Sequence, residues 1–104
     1  MSIITANVTS TTSAVFTSSG NTAVTYLQLC NYSAGNVTAN IHIVPSGDSA
    51  TNLNIAVSNL TIASEDSYQL YAGPEKILLE DADTIQVDVS ANSAVSAISS
   101  FTSI

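Results

Sequence analysis

His42 is the sole histidine of the chain. A catalytic imidazole needs a group that orients it and a nucleophile or substrate within reach. Ser and Asp are so abundant that the sequence singles out no such partner, and a strand histidine on a polar face is the expected reading. Glu75, Glu80, Asp81, Asp83 and Asp88 form the one concentration of charge. Oxygen ligands at that spacing suit Ca²⁺, with Asp81 and Asp83 on one turn chelating together with Glu80. The run lacks the Asp-rich loop with a central Gly that marks an EF-hand. A paired-carboxylate hydrolase would need one carboxyl held protonated, whereas this run reads as a solvated hairpin tip. No phosphate-cradling Gly-rich loop, CxxC or HExxH is present, so the expectation is a protein without catalytic residues, metal or cofactor. Tyr32, in a Ser-, Asn- and Gly-containing loop, and Tyr71, beside Gly73-Pro74, are the two side chains placed to stack a sugar ring.

The composition removes more functions than any motif supplies. Lys76 is the only basic side chain against eight acidic ones, a formal net charge of −7. A nucleic-acid binder neutralises phosphates with Lys and Arg, and anionic membranes attract the same residues, so neither partner is expected. Cys30 stands alone, which excludes an intrachain disulfide and fits a buried small hydrophobe. Met1 to Thr5 lack the basic and apolar regions of a secretory signal, and no apolar run is long enough to span a bilayer. The chain therefore reads as made in the cytoplasm and as one domain over residues 1–104, large enough for a core without staples. Asn-X-Ser/Thr sites at Asn7, Asn31, Asn36 and Asn59 carry no weight without a secretory route.

The elements that must hold these residues are strands, because apolar residues recur with period two. Leu53, Ile55 and Val57 alternate with Asn52, Asn54 and Ala56. Val37, Ala39, Ile41 and Ile43 alternate with Thr38, Asn40 and His42, and Ile85, Val87 and Val89 with Gln86, Asp88 and Ser90. Tyr68 and Leu70 oppose Gln69 and Tyr71. Between the runs lie Ser18 to Asn21, Asn31 to Asn36, Pro45 to Asp48, Ser64 to Asp66, Ala72 to Pro74 and Ala91 to Ser93, where Gly, Asn and Pro supply turn geometry. Roughly eight or nine short strands at spacings of about ten residues predict an all-β antiparallel sandwich, jelly-roll-like.

Two segments resist simple alternation. Pro74 to Glu80 has the opening of a short helix, but a strand through Ile77 and Leu79 lets Glu80 to Asp83 turn directly into the strand from Thr84. In Ala23 to Asn31, Val24 and Tyr26 share one phase while Leu27 and Leu29 share the other. Either a bulge shifts the register there, or both faces are covered.

Outward positions are mostly Ser, Thr, Asn and Ala, where an isolated sandwich would show Lys and Glu to block edge pairing. Such a surface suits contact with other copies or other proteins. Val24-Thr25-Tyr26-Leu27-Gln28-Leu29-Cys30-Asn31, Val37-Thr38, Ile43-Val44-Pro45-Ser46-Gly47, Asn59-Leu60-Thr61-Ile62-Ala63, Glu75 to Glu80, Asp83-Thr84-Ile85-Gln86-Val87 and the closing alternation from Ala94 to Ile104 cover most of the chain. Together they resemble small β-sandwich virion proteins of tailed bacteriophages, most of all those of T4-like cyanophages. The resemblance implies a non-enzymatic structural protein of the virion. It would be a homo-oligomeric capsid decoration, neck or tail accessory subunit, with a trimer as the expected order and capsid or neck subunits as partners. The alternative is a host-surface or glycan-binding module of a phage fibre, built on Tyr32 and the loops around Gly35 and Gly47. Related sequences carry Gly in the turn before Asp-Thr-Ile, where this chain has Ala82, so a glycine-dependent turn is in question.

Overall fold

The computed structural model describes residues 2–70, 77–92 and 94–104. Within them the alternating runs form nine strands: β1 (Ser2–Val8), β2 (Ser13–Thr17), β3 (Thr22–Asn31), β4 (Val37–Val44), β5 (Ile55–Ile62), β6 (Ser67–Leu70), β7 (Ile77–Leu79), β8 (Thr84–Val89) and β9 (Val95–Ser103). All pairings are antiparallel. One sheet runs β1-β9-β3-β6, with β7 also on β3, and the other runs β2-β8-β4-β5. Apart from the β4–β5 hairpin, which stays within one sheet, the connections from β1 to β6 and from β8 to β9 pass between the two sheets in the double Greek-key order of a jelly roll, and β7 is an added piece.

The inward positions of both sheets make one core. Leu27, Leu29, Ile41, Ile85, Val87 and Val95 are fully buried in it, and Phe16 meets Phe101 edge to face at 4.9 Å between centroids. Each large side chain taken out of water contributes about 1.5–3 kcal/mol, which is why alternation decides the register.

Bulges accommodate the places where alternation fails. In β3 the partner shift between Val24 and Tyr26 leaves Thr25 as the extra residue, so Val24, Leu27 and Leu29 all reach the core. A bulge, not a second covered face, explains the phase break. In β2 the shift between Ala14 and Phe16 turns both Val15 and Phe16 inward. In β5, Ala39 of β4 faces Leu60 while Ile41 faces Val57 and His42 faces Ile55, so two extra residues interrupt the strand. Asn59, one of them, has φ 54°.

The expected strand through Leu53 does not form. Leu53 lies in a turn and is 99% exposed, and β5 begins only at Ile55. The segment through Ile77 and Leu79 is a strand, with both side chains buried and Leu78 outward. Pro74, Glu75, Lys76 and Tyr71 lie outside the described residues. The turn before β8 keeps the left-handed backbone that the resemblance associates with glycine, although Ala82 occupies it at φ 67°. Among the described residues no helix is long and apolar enough to cross a membrane.

Candidate functional site

The acidic turn between β7 and β8 is built as a fastening for loops. Asp81 Oδ1 accepts the Gly20 N–H at 2.8 Å, and Asp83 Oδ1 accepts that of Ser46 at 2.8 Å. Asp83 Oδ2 takes the Glu80 N–H at 2.9 Å, and the main chain closes the arrangement through Ala82 N–H to Ser18 O. The carboxylates of Asp81 and Asp83 are therefore aimed at separate loops. Among the described residues no group of three or more His, Cys, Asp or Glu converges as a metal cage, so Glu80, Asp81 and Asp83 are not brought together as Ca²⁺ ligands.

His42 also departs from its expected setting. It points away from the main core, as expected, but it is only 7% exposed, and its Nδ1 is buried without a hydrogen-bond partner among the described residues. No carboxylate orients the ring through that nitrogen, which is the arrangement a general base would need. Beside it, a polar chain crosses the outer face of the β2-β8-β4-β5 sheet. Thr12 Oγ1 donates to Asp88 Oδ2 at 2.8 Å, Asn40 Nδ2 donates to Asp88 Oδ1 at 2.9 Å, and Asn40 Oδ1 accepts the Asn59 N–H at 2.9 Å. Both oxygens of the Asp88 carboxylate are thus engaged, and the bulge at Asn59 is held by a side chain.

From the sequence, Asn31 stands at the end of the Ala23 to Asn31 segment and the start of a turn, with no structural role assigned to its side chain. The structure buries it completely at the end of β3, where Oδ1 accepts from the Ser33 N–H and hydroxyl while Nδ2 faces the carbonyls of Gly35, Ile62 and Ala63. Its amide ties the β3–β4 loop to the end of β5, and a buried, fully engaged side chain is no glycan acceptor. Nothing in the local sequence signals this, because Asn is also an ordinary turn residue. Tyr32, the next residue, is 53% exposed and donates its hydroxyl to Asn7 Oδ1 at 3.2 Å. Tyr71, its companion platform, lies outside the described residues. An open concavity of about 340 Å³ lies within the β4–β5 loop, lined by Pro45, Asp48, Ser49, Thr51, Leu53 and Asn54.

A further distinctive surface is the outer face of the five-stranded sheet. Strand alternation and register place Ile3 and Thr5 of β1, Ile98 of β9 and Tyr26, Gln28 and Cys30 of β3 on it. Tyr26 donates its hydroxyl to Gln28 across one pleat. Cys30 is half-buried here instead of lying in the core. No described residue on this face is charged: the described acids lie on the β4–β5, β5–β6 and β7–β8 connections and at Asp88 of the opposite sheet.

Comparison with protein-family models, curated proteins and solved structures finds no match.

Proposed function

We propose that this chain is a non-enzymatic structural protein of a tailed-phage virion, a homo-oligomeric capsid decoration, neck or tail accessory subunit that acts through its surfaces. The observation that carries this reading is the outer face of the five-stranded sheet, uncharged among the described residues, on a body of net charge −7. Ser, Thr, Gln and isolated apolar side chains pack against a neighbour at low desolvation cost, while acids displaced to the connections keep the free subunit soluble. The resemblance to cyanophage virion proteins supplies the setting. Quantitative mass spectrometry of purified virions tests it: a copy number matching the major capsid protein means decoration, one ring's worth means neck or tail, and absence from the particle overturns the proposal.

The second reading, a glycan-binding module of a fibre, draws on the half-exposed ring of Tyr32. It requires a positive glycan array that Tyr32→Ala silences.

A further inference from the structure

We infer that β1 is the self-association edge of this protein, pairing antiparallel with β1 of a second copy across a two-fold axis. The proposal rests on the homo-oligomeric reading above and names the strand that carries it.

Unpaired sheet edges offer rows of free N–H and C=O groups, and proteins ordinarily blunt them. Three of the four edges here are blunted. The β2 edge is bulged at Val15, the β5 edge carries two extra residues with Asn59 in the left-handed region, and the edge beyond β3 is divided between the short strands β6 and β7. Among the described residues, only β1 lacks such a device. Its seven residues pair one for one with β9 from Ser2↔Phe101 to Val8↔Val95, without a register shift, charge or proline.

The occupant follows from charge and symmetry. A basic partner would match the net charge of −7, but β1 and the sheet face beside it offer no acid to attract one. A second copy needs only that the acids be elsewhere, and β6, the strand that follows the Glu65-Asp66 turn, lies three positions from β1 in the sheet. An antiparallel strand also pairs with itself under a two-fold, so the same patch serves both subunits. Centring the pair on Thr5, the middle of Ser2–Val8, sets Thr5 against Thr5, Ile3 against Asn7 and Ile4 against Ala6 of the other copy. Every residue of the strand is then paired and inward positions stay inward. The two five-stranded sheets become one, with a continuous outer face that is uncharged among the described residues. Three-fold assembly would require β1 to meet a different edge, and those edges are bulged or divided, so this geometry replaces the expected trimer with a dimer.

Sedimentation equilibrium of the full chain at low ionic strength tests the pairing. The wild type is expected at twice its 10.7 kDa mass. Thr5→Lys and Thr5→Glu each place like charges across the two-fold and should raise the dimer Kd by roughly fivefold or more, while an equimolar mixture of the two restores association. Thr5 is exposed, so both variants should keep the wild-type circular dichroism spectrum. Ser58→Lys on the bulged β5 edge should leave the Kd unchanged. A wild type that self-associates with a Kd indifferent to both Thr5 variants overturns the β1 edge and leaves the homo-oligomeric reading standing. A wild type that is monomeric at every concentration overturns the edge as well, and the virion reading is then decided separately by copy number.

Discussion

Asn31 Nδ2 donates to the carbonyl oxygen of Ile62 at 3.0 Å, joining the end of β3 in one sheet to the end of β5 in the other. The side chain is fully buried, so water cannot replace it. Asn31→Ala should cost about 2–3 kcal/mol and lower the melting temperature by roughly 10 °C. Asn31→Asp keeps the acceptor for Ser33 but turns a second oxygen toward the carbonyls of Gly35 and Ile62. It should be at least as damaging as alanine in urea denaturation, and a benign Asp would show that the amide donor contributes little.

Ala82 holds φ 67° while its N–H donates to Ser18 O at 2.9 Å. A β-carbon in that region is strained, and the hydrogen bond fixes the strain in place. Ala82→Gly should therefore stabilise the fold by about 0.5–1 kcal/mol, after subtracting the extra freedom glycine brings to the unfolded chain. Ala82→Val should destabilise it, since a β-branched residue is worse still at positive φ. Equal melting temperatures for all three side chains would remove the strain.

Asp83 receives two main-chain N–H groups, from Ser46 and Glu80, one on each carboxylate oxygen. Asp83→Asn replaces one acceptor with a donor and should cost about 1 kcal/mol, modest because both contacts are exposed. Since the carboxylates do not converge, millimolar Ca²⁺ should leave the melting curves of wild type and variant unmoved. A Ca²⁺-dependent rise in the wild type that Asp83→Asn abolishes would reinstate the acidic turn as a metal site.

Strand number, antiparallel pairing and most inward faces were legible in the sequence because burial imposes period two on residues such as Ile85, Val87 and Val89. What alternation cannot show is where it stops. Leu53, Ile55 and Val57 alternate in the sequence, yet Leu53 is exposed in the preceding turn, and the extra residue at Ala56 sets Ile55 opposite His42 on the outer face while Val57 faces Ile41. Glu65 at φ 60° and Ala82 likewise adopt turn conformations without the glycine that would have announced them. The face that is uncharged among the described residues was foreshadowed by composition, but its place on the five-stranded sheet depends on strand order, which no local pattern encodes. Asn31 escaped notice for a related reason: the carbonyls that hold it come from Gly35, Ile62 and Ala63, and two of these lie about thirty residues away.

The bulge in β3 yields the sharpest test of register. Thr25 is the extra residue, so deleting it restores strict alternation: Leu29, Leu27, Val24 and Thr22 stay inward, while Gln28, Tyr26 and Ala23 stay outward. The deletion loses the Thr25 Oγ1 bond to Ser100 O and some local twist, about 1–2 kcal/mol, and the protein should still unfold cooperatively. Deleting Gln28 instead brings Leu27 and Leu29 into opposite phases. The bulge can absorb that change only by turning Leu27 out and Tyr26 in, which loses a fully buried leucine and forces a larger ring into a filled core. The expected cost is about 3 kcal/mol or more. Comparing the two deletions by thermal and urea unfolding therefore reads the position of the bulge directly. A Thr25 deletion as harmful as that of Gln28 would mean that the phase break is resolved elsewhere in the strand.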